Sequence, residues 1–364
     1  MYGKVSIILL NYNGKQFNKA CIDSLLQQSY KNFEIIFVNN QSDDGSCEEV
    51  EKLFITEIAV RAIKMIDPWY NSGFAGGNNI WAAASDPDSE YICLLNNDTI
   101  LPTHWLENMV GGIRSDPSLW AVWGMIYDQG YEEVIKNLMF VQYKKWVNNY
   151  FFDSVIVDQT EEDKAGPVIY TTGVSWCCVM WKKSLLKQPF DEIYFAYLED
   201  TALCMKILLQ GYRIGLAKEA IVYHFWSGSF GRKPSLFKVF HGQKNYILNF
   251  ILLSQWWYWI IIFPFFMLWI LIRTLFSNPL IRIYGLIKAL QRVISNTKQI
   301  QHIKKSIKRT ISIREFYKQL SPQFMSIPFY AKSNKVYTLI TAVLNKISVW
   351  YFSLSWIFLP WLGK

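Results

Sequence analysis

Residues Tyr91–Leu101 read YICLLNNDTIL. The apolar run from Tyr91 to Leu95 has the pattern of a buried strand. It stops at Asn96-Asn97-Asp98. Two amides and a carboxylate at the end of such a strand put an oxygen-rich edge where a sheet meets solvent. In open α/β sheets ligands sit at the carboxyl ends of strands, and oxygen ligands there suit a hard divalent cation that also holds phosphates. A plain polar turn explains the same residues, because Asn-Asn-Asp is good turn chemistry and Pro102 follows.

Working outward, Val5–Leu10 (VSIILL) and Phe33–Val38 (FEIIFV) are continuous apolar runs of the kind found in central parallel strands. Each ends in polar residues, Asn11-Tyr12-Asn13-Gly14 and Asn39-Asn40-Gln41-Ser42. Between them, Phe17, Ala20, Cys21, Ser24, Leu25 and Gln28 form a helical stripe. A helix with Val50 and Leu53 and a weak strand over Ala62–Ile66 follow. Strand and helix alternating at this spacing predict an α/β, Rossmann-like parallel sheet. The glycine-rich stretch 71–79 (NSGFAGGNN) is expected as a turn before a helix over Ile80–Ala84, where it can approach a phosphate or sugar. Glycines supplying positive φ in a tight loop are the alternative. It is neither a dinucleotide fingerprint nor a Walker loop.

Residues 127–168 mix aromatics such as Trp146, Tyr150 and Phe151 with the acidic loop 161–163, and read either as an acceptor-facing insertion or as a surface excursion. Val168–Trp181 reads as strand with a bend at Gly173. Leu203, Ile207 and Leu208 share a helical face that Gly211 is placed to end, so Glu199 and Asp200 lie at its first turn. Acids there cap helices; two adjacent ones after Phe-Ala-Tyr-Leu also suit acid–base work. Ala220–Tyr223 is a short strand closed by His224, a residue that serves structure more often than metal at such a place.

Composition narrows the class. The chain has 364 residues, is 51% hydrophobic and 17% aromatic, and carries a net charge of +8. Eleven Lys or Arg fall between Arg273 and Lys318 against one acid, Glu315. A basic region beside apolar ones suggests an anionic membrane surface. No nucleic-acid motif is present, so no nucleic-acid partner is expected. The six cysteines make no C-x-x-C pair and most sit in apolar runs, as buried thiols of a reducing compartment do. The N-terminus shows no signal-peptide pattern, so the N-terminal part is expected in the cytosol.

Taken in order, VSIILLNYNGK, FEIIFVNNQSDDGS, NSGFAGGNN, YICLLNNDTILPTHWLE, FDEIYFAYLEDTALCMKILLQGY and AIVYH resemble the inverting family 2 glycosyltransferases of GT-A fold, in the branch with many rhamnosyltransferases of cell-surface polysaccharide assembly. The resemblance spans roughly residues 4–230. It implies that Asp98, in the D-x-D place with Asn97, binds Mn²⁺ or Mg²⁺ with a nucleotide-diphosphate sugar donor. Tyr12 and Asn40 fall where the family holds nucleobase and ribose, and Asn71, Gly76 and Asn78 in the loop near the nucleotide sugar. Asp200 matches the catalytic base with Glu199 beside it, and His224 a position that completes the metal site in some members. Asn39, Ala202 and Lys206 depart from the family pattern, with Thr201 before Ala202. The Q-x-x-R-W signature is absent, which argues for transfer of one or a few sugars.

The C-terminal third is expected to be mostly helical and membrane-associated, giving domains 1–235 and 236–364. Ile247–Ile272 is dense in apolar residues, with Pro264 inside. A single crossing would put the basic stretch outside, against the positive-inside tendency. An in-plane or re-entrant hairpin at the cytoplasmic face is therefore expected, with a true crossing as the alternative. Arg282–Lys318 alternates basic and aliphatic residues as surface-bound helices do. Ile347–Leu362 would reach only about 24 Å, short of the bilayer core. Ordinary packing against the catalytic domain or a partner subunit is the alternative for both apolar blocks. A lipid-linked or oligosaccharide acceptor is the expected second substrate, and a homo-oligomer is left open. Competing functions are a polyprenyl-phosphate sugar synthase and a non-catalytic nucleotide-sugar-binding module.

Overall fold

Aliphatic runs without alternation become interior strands because both of their faces are covered. The computed structural model describes residues 3–68, 70–128, 144–152, 154–173, 177–185, 189–225, 235–275, 279–324 and 335–362. Part of the stretch 127–168 (129–143 and 153), and 174–176 of the expected strand Val168–Trp181, lie outside them. The chain packs as two compact units, residues 1–144, 159–196 and 212–233 in one, and 145–158, 197–211 and 234–364 in the other.

The first unit is built on a nine-stranded sheet. Its strands are β1 (Lys4–Asn11), β2 (Phe33–Asn39), β3 (Ile63–Ile66), β4 (Ser89–Asn96), β5 (Thr99–Ile100), β6 (Leu119–Asp128), β7 (Val168–Thr171), β8 (Cys178–Lys182) and β9 (Arg213–His224). The order is β3-β2-β1-β4-β8-β6-β9-β5, with β7 on β9. β3, β2, β1 and β4 run parallel, while β8 is antiparallel to both β4 and β6. Helices α1 (Lys15–Leu26), α2 (Ser46–Leu53), α3 (Gly73–Ala84) and α4 (Trp105–Arg114) flank it. A core of Ile7, Leu9, Cys21, Ile35, Phe37 and Cys93 lies with Trp105 and Met109 of α4.

The last strand decides where His224 falls. β9 pairs parallel with β6, and its register jumps so that Ala217 faces Gly124 while Ile221 faces the next residue, Met125. Such a bulge bends a strand and re-aims the side chains beyond it. Gly124 makes room for it: a Cβ there would lie 2.6 Å from Val222 Cγ2 and 2.8 Å from the Ala220 carbonyl oxygen. β5 pairs with the end of β9, Thr99 against His224, so the chain just after Asp98 runs beside the histidine.

The second unit is mainly helical: α5 (Glu199–Leu209), α6 (Leu236–Leu253), α7 (Trp256–Leu275), α8 (Pro279–Ser295), α9 (Thr297–Ser306), α10 (Ile313–Lys318) and α11 (Lys335–Leu362), with a two-stranded ribbon of Lys144–Asn148 and Ser154–Asp158. Residues 150–152 of the ambiguous aromatic stretch belong to its interior. Tyr150, Phe151 and Phe152 are buried. Phe151 lies 4.8 Å from Phe324, Tyr150 lies 4.7 Å from Phe352, and Tyr258 Oη donates to the Tyr150 carbonyl at 3.0 Å. These three aromatics are core, neither an acceptor-facing insertion nor a surface excursion.

Other expectations shift as well. The glycine-rich stretch is not a turn before a helix over 80–84; α3 already starts at Gly73, whose φ is +71°. On α1, Asn18 and Ile22 are buried and Ala20 is exposed, because the helix packs polar as well as apolar groups. Leu53 is exposed. The apolar block Ile247–Ile272 is two helices broken at Ser254-Gln255, and Leu248, Phe250, Leu252 and Leu253 are fully buried, so its first part is core. Among the described residues no helix is long and apolar enough to cross a membrane.

Gly124→Ala should force the β6–β9 contact apart at a cost of about 1–3 kcal/mol. A lowered melting temperature checks this; an unchanged one would show that the bulge tolerates a methyl group.

Candidate active site

The carboxyl ends of β1, β2 and β4 lie side by side, with Asn11 level with Asn39 and Leu10 with Asn96. Asn11 is fully buried and joins them. Its Nδ2 donates to Ser42 Oγ at 2.9 Å and Ser46 Oγ at 2.7 Å. Its Oδ1 accepts from Asn18 Nδ2 at 3.1 Å and Asn97 Nδ2 at 2.9 Å. Asn97 Nδ2 also donates to Asn18 Oδ1 at 2.8 Å. Gly14 closes over this lattice, since a Cβ there would lie 2.1 Å from Asn97 Nδ2. Asn97 therefore points its donors into the protein, while the next residue, Asp98, starts the connection to β5.

Asp98 and His224 come together from distant parts of the sequence. Asp98 Oδ1 lies 3.1 Å from His224 Nε2, and both side chains are about nine-tenths buried. The Phe225 amide donates to the Asp98 carbonyl at 2.8 Å and holds the two chains in register. Asp98 Oδ1 takes no hydrogen bond. A buried carboxylate oxygen facing an imidazole nitrogen without hydrogen-bond geometry is a costly arrangement by itself. It is the donor set a divalent cation satisfies, with the remaining positions left for phosphate oxygens and water. Among the described residues no group of three or more His, Cys, Asp or Glu converges. Among the described residues Asp98 and His224 are thus the two ligands offered here, which suits a cation shared with a substrate.

Beside this edge, Asn40 Nδ2 donates to Asn71 Oδ1 at 3.2 Å and Gly73 N donates to the same oxygen at 2.8 Å. Asn40 and Asn71 thus meet directly, at the N-terminus of α3. Tyr12 is half-buried just past β1. Gly76 lies on the first turns of α3 against Ser72, and Asn78 is buried with its Nδ2 on the Phe74 carbonyl at 2.8 Å. Asn79, which sequence reasoning passed over, grips the Phe190 backbone at both ends, Nδ2 to O at 2.8 Å and N to Oδ1 at 3.0 Å. Gly73 is needed where it stands: its φ is positive, and a Cβ would lie 2.6 Å from the Phe195 carbonyl oxygen. A surface cavity of about 300 Å³ lies elsewhere in the first unit, lined by Glu162, Pro167 and Tyr170, and includes none of these residues.

Glu199 and Asp200 belong to the second unit, where they open α5. The approach to them is strained: Phe195, Tyr197 and Leu198 have φ of +64°, +69° and +60°. Such geometry in bulky residues persists only where surroundings enforce it. Asn245 of α6, fully buried, donates to the Tyr197 carbonyl at 2.6 Å. Glu199 is buried with its Oε2 unpartnered. Burial first, and the neighbouring Asp200 second, push its carboxyl up to about 8; nearby Lys244 pulls the other way. Lys244 is itself buried and lowered to about 8, chiefly by desolvation and then by Arg292. At neutral pH Glu199 holds its proton. Lys244 and Asn245 were missed at the sequence level. The signal was there, as Lys244-Asn245 lead directly into the apolar run Tyr246–Leu253, which Asn249 alone interrupts.

The sequence profile of the glycosyl transferase family 2 matches residues 6–186. An uncharacterised glycosyltransferase of Haemophilus influenzae is 29% identical over 118 residues, 32% of this chain and 35% of that protein. A β-1,3-glucosyltransferase of Escherichia coli, WfaP, named for UDP-glucose and GlcNAc-diphosphoundecaprenol, is 25% identical over 57% of this chain and 71% of its own length. Across the first three curated relatives the chain spans 35%, 64% and 32% of their lengths. The crystal structure of GalNAc-T7 with UDP, GalNAc and Mn²⁺ superposes with a TM-score of 0.56 at 14% identity, covering 69% of this chain and 48% of that one. The fold is the α/β GT-A fold with a helical C-terminal region.

The raised Glu199 carboxyl sets a pH dependence. The folded state holds this proton above pH 4.5, where the unfolded chain has released it, so this group's contribution to stability falls as pH rises from about 4.5 through about 8. Glu199→Gln should remove that fall. Melting temperatures of both proteins across the window test it; a difference between them that stays constant with pH would contradict the assignment.

Proposed function

The chain belongs to the glycosyl transferase family 2 through residues 6–186, and from that premise we propose that it moves a sugar from a nucleotide-diphosphate donor to a hydroxyl of a lipid-linked saccharide, with inversion, in cell-surface polysaccharide assembly. The observation that carries this is the Asp98–His224 pair at 3.1 Å with its unbonded carboxylate oxygen. These two residues would hold Mn²⁺ or Mg²⁺, which when bound neutralises charge on the departing nucleoside diphosphate. Asn40, Asn71 and Tyr12, beside the same strand ends, would orient the nucleoside and sugar.

An acceptor hydroxyl is a poor nucleophile and needs a base set against it. Asp200 is the residue for this step: it stands beside Glu199 at the start of α5, is partly exposed, and takes the hydroxyl proton as the oxygen attacks the anomeric carbon. One displacement inverts that carbon, and no second nucleophile is needed. Asn245, holding the backbone just before the pair, is read as a positioning residue for Asp200. A lipid-linked acceptor is supported by the name of the WfaP relative, and work at the cytoplasmic face of a membrane is part of the same proposal. The rhamnosyltransferase-like branch remains part of this proposal and is decided by the donor.

Asp200→Asn should lower turnover by about 10²–10⁴-fold with nucleotide binding retained; unchanged turnover would remove Asp200 from the role of base. Asp98→Ala should abolish the Mn²⁺-dependent part of nucleotide binding, measured by calorimetry, and unaltered binding would remove Asp98 from the metal. Donor hydrolysis with Mn²⁺, screened over dTDP-rhamnose, UDP-galactose, UDP-N-acetylglucosamine and GDP-mannose, identifies the sugar. Mass spectrometry of the lipid product separates a disaccharide-linked lipid from the sugar monophosphate lipid that a polyprenyl-phosphate synthase would make.

A further inference from the structure

A helix on the surface of a protein turns its apolar side inward and its polar side to water. Two helices of the second unit do otherwise. On α8, the inward face is Gly285, Ala289 and Val293, all buried, and it packs close enough that a Cβ on Gly285 would lie 2.8 Å from Val239 Cγ1 of α6. The outward face is Leu280, Ile283, Ile287, Leu290 and Ile294, with Leu280 79% and Ile294 71% exposed. At 100° per residue these five fall within one sector nearly opposite the buried one. On α11 the buried positions include Thr341, Ser348 and Phe352, with Ser348 Oγ on the Pro322 carbonyl, while Leu339, Val343 and Trp350 face out, Leu339 at 65% and Trp350 at 63%. Most of the exposed large apolar side chains among the described residues lie in this unit.

Charge says what covers them. Lys288 and Arg292 are exposed on α8, and Lys298, Lys305 and Lys308 are exposed on and just after α9. From Pro279 to Arg314 there is no acid at all. A second copy of this chain would bring like charge against like charge across the apolar stripe. An anionic lipid surface offers hydrocarbon to the stripe and phosphate to the lysines and arginines. We propose that the outward face of α8 is the seat on which the protein lies on an anionic bilayer, with its axis in the membrane plane. This deepens the reading of a lipid-linked acceptor and rests on it only for its purpose, since the seat itself is argued from exposure and charge.

The test is co-sedimentation of the full chain with vesicles of phosphatidylcholine, with and without phosphatidylglycerol, alongside the double variant Ile287→Glu, Ile294→Glu. Both side chains are exposed, so melting temperature should not fall. The wild type should pellet with anionic vesicles and far less with neutral ones. The variant should bind anionic vesicles about tenfold or more weakly, since each isoleucine loses its burial in lipid. Donor hydrolysis in solution should be the same for both. Equal binding of the two proteins, or no binding by the wild type, overturns the proposal. So does a wild-type dimer in light scattering that the variant dissolves, which would assign the face to a second copy. If donor hydrolysis is absent while the vesicle result holds, the transfer reading fails and the seat stands.

Discussion

The buried amide of Asn11 is the constraint on which the first unit's site depends. It sits at the carboxyl end of β1 with no exposure, and so must find every hydrogen bond inside the protein. Ser42 and Ser46 accept from its Nδ2, and Asn18 and Asn97 donate to its Oδ1. Leaving one such group unmet costs about 1–3 kcal/mol, so the lattice tolerates few other arrangements. The consequence is mechanical. Three strand ends, the start of α2 and one turn of α1 are fixed to one another, and the chain leaving β4 at Asn97 has one path. Asp98 inherits its place from that path, and the bulge in β9 delivers His224 to meet it.

The second unit solves a different problem, how to keep two adjacent carboxyls at the start of a helix. It buries one and leaves the other partly exposed. Glu199 turns inward toward Lys244 and keeps its proton, while Asp200 remains outside that pocket. The three left-handed residues before them set the direction of this split, and Asn245 anchors the bend. Strain of this kind is held by surrounding structure and is commonly found where chemistry depends on orientation.

The strands of the parallel sheet were legible because unbroken aliphatic runs such as VSIILL and FEIIFV have few other uses. The ends of those runs were legible for the same reason, and they contain Asp98. What escaped was set by tertiary contacts. Nothing local in α1 marks Asn18 as buried; it is inside because Asn11 and Asn97 need it there. The start of α3 at Gly73 was hidden because glycines favour loops locally, and the helix stands because Phe195 and Asn71 meet its first amides. Tyr150 and Phe151 lacked a readable period because they reach into a core made by helices far along the chain. Likewise the apolar block 247–272 could not be divided by hydropathy into a buried helix and its successor, since burial in protein and burial in lipid select the same residues.

The measurement that bears most directly on metal binding at this edge is anomalous diffraction from crystals soaked with Mn²⁺ and a nucleoside diphosphate. Binding by Asp98 and His224 predicts a manganese peak within about 2.5 Å of Asp98 Oδ1 and His224 Nε2, with phosphate oxygens completing the shell. A nucleotide bound with manganese held elsewhere, or the 3.1 Å Asp98–His224 approach persisting with no metal between the two, would contradict the role given to the pair.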